Sequence, residues 1–92
     1  MALTRVERTF QVKNALGLHA RAAAHLVKAA NKFRCDVTLE KDGTEVNGKS
    51  IMGVLMLAAT QGSGVLVRCE GDDANEAIEE IARLFEAGLG EL

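Results

Sequence analysis

Apolar and polar residues alternate at the start of the chain, where Val6, Phe10 and Val12 are spaced between Glu7, Thr9 and Gln11. This period of two predicts a strand with one buried face, and it sets Arg8 on the inward side near a sheet edge. The period then changes. Ala23, Leu26, Val27, Ala30 and Phe33 form one apolar stripe at helical spacing, which predicts a helix over about Ala20–Lys32. Alternation returns in Cys35, Val37 and Leu39 against Asp36, Thr38 and Glu40. Asp42-Gly43 then signals a two-residue hairpin, because both central positions of the favoured turn need positive φ. A short strand, Thr44 to Asn47, follows it. Ser50 is placed to cap a second helix running to about Ala58, packed through Val54, Leu57 and Ala58, with Ile51, Met52 and Leu55 partly exposed. After a Gln61–Gly64 loop, Val65, Val67 and Cys69 alternate with Leu66, Arg68 and Glu70 in a fourth strand. Asp73, with Glu76 in the capping-box position, opens a last helix with a buried stripe of Ala74, Ala77, Ile78, Ile81, Ala82 and Phe85. Glu76, Glu79, Glu80 and Glu86 face outward as an acidic solvated surface, and Gly88 is placed to end the helix. The order is βαββαβα. A four-stranded antiparallel sheet covered on one face by three helices buries every one of these stripes.

The chemistry concentrates between the first strand and the first helix, in Asn14-Ala15-Leu16-Gly17-Leu18-His19-Ala20-Arg21. His19 falls where a loop becomes a helix, beside backbone N–H groups that have no partner inside the helix. Such a terminus holds anions. Arg21 adds a planar fork of donors suited to phosphate, and Gly17 frees the loop backbone to bring its amides close. Gly17, Ala20 and Arg21 are thus the expected backbone cradle. A nucleophilic imidazole beside an anion cradle suits a transient phosphohistidine. The plain alternative is a structural or solvated histidine.

From Arg21 a basic stripe continues through His25, Lys28 and Lys32. It is either a solvated helix face or a landing strip for an acidic partner. His25 projects well beyond His19 and is not expected to take a phosphate. The second helix has almost no polar side, and on a domain this small it can hardly be covered all round. Its exposed apolar residues point to a partner interface, with methionine adapting to different surfaces.

The 92 residues suit one domain, 1–92, and the net charge of −2 argues against nucleic acid as the main partner. With 48% apolar and 26% charged residues the composition is that of a globular protein, and its aromatic residues are three Phe, so the core is aliphatic. No apolar run approaches the roughly 20 residues needed to span a bilayer, and no signal-peptide core is present, so a cytoplasmic location without membrane insertion is expected. Cys35 and Cys69 are either reduced core residues or, with His19 and His25, a metal site; none of the four falls at a typical ligand spacing. Dinucleotide, P-loop, paired-carboxylate and nucleophile-base-acid patterns are absent.

Gly17-Leu18-His19-Ala20-Arg21, together with Gly48-Lys49-Ser50-Ile51-Met52-Gly53-Val54-Leu55, closely resembles the HPr family of histidine-containing phosphocarrier proteins. These belong to the bacterial phosphoenolpyruvate-dependent phosphotransferase system. The resemblance implies an open-faced β-sandwich of α+β class with strand order 1-4-2-3. It implies that His19 accepts phosphate on Nδ1 from enzyme I and passes it to an EIIA-type acceptor, with Arg21 stabilising the phosphate. It also implies docking through Arg21, Lys28, Lys49, Ile51, Met52 and Leu55. No cofactor, no metal and no turnover chemistry of its own are implied, and a monomer is expected. Ser50 matches a serine that an HPr kinase/phosphorylase modifies in many such proteins, although as an N-cap it needs no further role. A regulatory adaptor, whose partner binding depends on phosphorylation of His19 or Ser50, is one other function the sequence allows; a small-molecule or metal-binding α/β sandwich is another, but it explains neither the Gly17-to-Arg21 motif nor the exposed patch. One departure is clear: Ala22 stands where the family usually has proline, so the loop-helix junction is expected to be looser.

Overall fold

A computed structural model describes residues 4–91. The expected domain, 1–92, extends past these into residues 1–3 and 92, which lie outside the described residues. Four strands, β1 (Arg5–Gln11), β2 (Asp36–Lys41), β3 (Thr44–Asn47) and β4 (Gly64–Glu70), form one antiparallel sheet in the order β1-β4-β2-β3. Helices α1 (Ala20–Ala30), α2 (Ile51–Met56) and α3 (Ala74–Glu86) complete the open-faced α+β sandwich. The alternation predicts the sheet well: Val65, Val67 and Cys69 of β4 are buried between half-exposed Leu66, Arg68 and Glu70. Asp42 (φ 52°) and Gly43 (φ 83°) make the left-handed turn expected of the hairpin. Phe10 of β1 stacks on Phe85 of α3 with ring centroids 5.1 Å apart, which ties the edge strand to the helical layer. Arg8 does reach that side, where its guanidinium pairs with Glu79 and lies 5.9 Å from the Phe10 ring centroid.

Four expectations need correction. Helix α1 stops at Ala30 rather than Lys32, because the Asn31 side chain donates back to the Val27 carbonyl (3.0 Å) and onward to that of Lys49 (3.2 Å). Helix α2 ends at Met56, and Ala58 is an exposed residue in the left-handed region (φ 50°), not a core contact. Asp73 precedes α3 but does not cap it. Its carboxylate instead accepts from the backbone N–H groups of Arg34 (2.8 Å) and Cys35 (2.9 Å), which the turn after α1 leaves without other partners. Those bonds, the Arg34 amide first, hold its carboxyl below the ordinary value of 3.8. Finally, the acidic face of α3 is not simply solvated: Glu79 pairs with Arg8, Glu80 with Lys32 (2.6 Å) and Glu86 with Lys13 (2.9 Å).

Candidate phosphate-accepting site

The site begins with a close approach that only glycine permits. Gly17 (φ 66°) lies so near the segment after α2 that a Cβ there would sit 2.3 Å from the Ala59 carbonyl oxygen. Leu18, the next residue, donates its N–H to that same oxygen at 2.9 Å. Asn14, buried in the loop, closes it from the other side by donating from Nδ2 to the Gly17 carbonyl (2.7 Å). The Gly17 N–H is itself directed at the Asn14 carbonyl (3.2 Å). Gly17 therefore shapes the loop, while the amides at the helix start belong to Ala20, Arg21 and Ala22.

His19 is the N-cap of α1, with extended backbone (φ −75°, ψ 179°) and a side chain that accepts through Nδ1 from the Arg21 N–H at 3.3 Å. Nδ1 is thus turned toward the unsatisfied amides and the positive end of the helix dipole. Ala22, at the third helical position, is fully buried and continues the helix without proline. The other ring nitrogen, Nε2, lies 3.0 Å from Oε1 of Glu91, a residue the sequence pattern did not single out. The same oxygen is 3.7 Å from Nη1 of Arg21. His19 is about one-quarter exposed and Arg21 three-quarters exposed, so the site is a shallow surface cradle.

The structure brings His19, Ala20 and Arg21 together and joins them through Gly17 to the end of α2. Lys28 is exposed further along α1, lining an open groove of about 470 Å³ with His25, Lys32, Glu80 and Arg83. Lys32, the last of the basic stripe, is occupied by Glu80. Lys49 is tied into the fold, its ammonium donating to the Phe33 carbonyl at 2.7 Å. Ser50 caps α2, its Oγ accepting from the Gly53 N–H at 3.1 Å. Ile51 (43%) and Met52 (70%) are exposed and Leu55 is partly exposed while packing on the core, as expected, and Met56 (72%) adds a further exposed apolar side chain. Leu16 (72%), in the His19 loop, is exposed as well.

Cys35 and Cys69 are buried with free thiols, and burial pushes the Cys35 thiol up to about 12. Among the described residues, no three His, Cys, Asp or Glu side chains gather in a way that could hold a metal ion. No helix among them is long and apolar enough to cross a membrane.

Residues 6–87 match the family model described as "PTS HPr component phosphorylation site". The chain is 48% identical over 86 residues to the phosphocarrier protein HPr of Xylella fastidiosa, covering 94% of this chain and 97% of that one. It is 47% identical over 77 residues to the HPr-like protein Crh of Bacillus subtilis, covering 84% and 91%. The crystal structure of HPr-C-His from Thermoanaerobacter tengcongensis superposes with a TM-score of 0.91 at 46% identity, covering 95% of this chain and 98% of that one.

Proposed function

The chain belongs to the HPr family, and from that premise we propose that it is a phosphoryl carrier charged on His19 by enzyme I and discharged to an EIIA-type acceptor. The observation that carries this reading is the direction of Nδ1, which accepts from the Arg21 N–H in the first turn of α1. In the transfer step the Nδ1 lone pair gives up its hydrogen bond from the Arg21 N–H and forms a bond to phosphorus in line with the breaking bond of the donor phosphohistidine, which frees the Arg21 N–H to donate to the arriving phosphate. The donor imidazole leaves with that electron pair. The Ala20 and Ala22 amides and the Arg21 guanidinium supply donors for the equatorial oxygens, which carry the charge. A carrier must release phosphate as readily as it accepts it, so a shallow surface cradle suits it better than a deep pocket. Residues 1–92 act in this reading as one cytoplasmic, monomeric domain with no turnover chemistry of its own.

Docking is assigned to Arg21, Lys28 and the apolar residues Ile51, Met52, Met56 and Leu16, with Leu55 and Lys49 supporting them from below. The Leu18–Ala59 hydrogen bond links the loop that carries Leu16 to the segment following α2. Incubation with phosphoenolpyruvate and an active enzyme I, read by intact mass, tests the proposal. One acid-labile phosphate is expected on the wild type and none on His19→Ala; equal labelling of both would refute the assignment.

A second reading, regulation through Ser50, is favoured by the exposed Ile51 and Met52 that directly follow it and by the similarity to Crh. A phosphate on the N-cap oxygen would leave the helix start intact and set about two negative charges beside the apolar patch. Ser50→Asp is expected to weaken enzyme I binding while the fold is retained. Unchanged affinity would remove this reading.

A further inference from the structure

After α3 the chain makes a short 3-10 turn, Gly88–Gly90, that is unusually constrained. Gly88 (φ 68°), Leu89 (φ 58°) and Gly90 (φ 79°) are all left-handed in succession. That conformation is unfavourable for a leucine, whose Cβ crowds the following carbonyl oxygen. Leu89 is nevertheless fully buried, and its burial holds the turn against the core. Gly90 crosses the His25 ring so closely that a Cβ would lie 3.1 Å from its Nε2. The turn delivers Glu91, whose side chain is 11% exposed, to within 3.0 Å of His19 Nε2.

A carboxylate only accepts, so the hydrogen shared between Glu91 and His19 resides on Nε2. The geometry points to Glu91 as the residue that keeps His19 protonated on Nε2 through both halves of the phosphoryl cycle. This rests on the carrier reading above and deepens it. In the acceptor state a proton on Nε2 leaves the lone pair on Nδ1, the atom aimed at the helix amides. As the N–P bond forms, the ring becomes a phosphoimidazolium and its positive charge develops beside the carboxylate. On discharge the N–P bond breaks, its electron pair returns to Nδ1, and the ring leaves as neutral imidazole. The proton stays on Nε2 throughout, so neither half-reaction needs a proton transfer. The bond also fixes the ring plane, and its oxygen keeps Arg21 close. Glu91 is a positioning residue in this scheme, since it acts through the imidazole.

The test uses the full chain with ¹⁵N-labelled histidine. In the wild type an Nε2–H signal protected from exchange with water is expected for His19. Glu91→Ala, at a site outside the core, should lose that protection and lower the kcat of charging by enzyme I about fivefold with KM unchanged. Glu91→Gln keeps an acceptor oxygen and should retain the protected signal and more of the rate than Glu91→Ala. Persistence of the protected signal in Glu91→Ala, or a loss confined to KM, would overturn the role of Glu91 while leaving the carrier reading standing. A wild-type chain that takes no phosphate would overturn both.

Discussion

Gly17→Ala probes how tightly the site loop is fixed. Two costs follow from the structure. The first is torsional, since alanine at φ 66° pays about 1–2 kcal/mol. The second is steric. The new Cβ would stand 2.3 Å from the Ala59 oxygen, where ordinary contact begins near 3.4 Å, and the obstacle is backbone that cannot rotate away. The loop must withdraw by roughly 1 Å, which strains or breaks the Leu18–Ala59 hydrogen bond; a backbone pair left unmatched in a buried place costs about 1–3 kcal/mol. Together these amount to about 2–5 kcal/mol, a large share of the 5–15 kcal/mol typical of a small domain. At about 4–8 °C per kcal/mol, the melting temperature should fall by at least about 8 °C.

Gly62→Ala is the matched control, because Gly62 is also left-handed (φ 88°) but nothing lies within 4 Å of a Cβ there. Calorimetry on both variants separates the torsional cost from the clash. The displaced Leu18 also moves its neighbour His19, so charging by enzyme I at a temperature where the variant is folded should slow by about tenfold or more. If Gly17→Ala melts no lower than Gly62→Ala, the close approach to Ala59 does not shape this loop and the reasoning fails.

Three other outcomes are expected. The carboxyl of Asp73 is depressed by the Arg34 and Cys35 amides, so its stabilising contribution is complete above the unfolded value and is lost as pH falls through the lower folded value. Urea midpoints measured between about pH 5 and pH 2 should therefore fall less steeply for Asp73→Asn than for the wild type, and identical slopes would refute the assignment. With burial raising both thiols, Cys35 and Cys69 should resist alkylation at pH 8 in the native protein and react together only in denaturant, as mass spectrometry of the adducts would show. Ala58→Gly should raise the melting temperature by about 4 °C, because it relieves a left-handed alanine just past the end of α2; a lower melting temperature would mean the Ala58 side chain contributes more than its backbone costs.

What the sequence revealed and what it hid divide along the range of the interactions. Strand alternation, the Asp42-Gly43 turn and the buried stripe of α3 are local and periodic, and the structure follows them. Asp73 satisfied a local capping rule yet serves amides of Arg34 and Cys35, far away in sequence. Met56 joins the exposed patch and Ala58 leaves the core, because α2 is shorter than its apolar composition suggested. Glu91 was invisible for the same reason as Asp73: a single carboxylate after Gly-Leu-Gly has no periodic signature, and its partner is at the opposite end of the chain. Gly17 was read correctly as a residue of special backbone freedom. The reason for that freedom, the Ala59 carbonyl, lies on a segment no pattern connects to it.

The described residues contain three non-glycine residues at positive φ, and their placement is uneven. Asp42 occupies a hairpin turn that tolerates it. Ala58 immediately precedes the carbonyl that receives Leu18, and Leu89 lies two residues before the carboxylate that meets His19. Both sites of backbone strain therefore flank groups that hold the histidine, one fixing its loop and the other its ring. Strained backbone persists only where its surroundings over-determine it, and here buried Leu57 and Ala59 bracket Ala58 while Leu89 is itself enclosed. Core packing thus extends outward to a side chain that must stay accessible. An imidazole about one-quarter exposed and held at both nitrogens offers a partner a fixed target without a pocket around it, which suits the proposed passing of a phosphoryl group between two larger proteins.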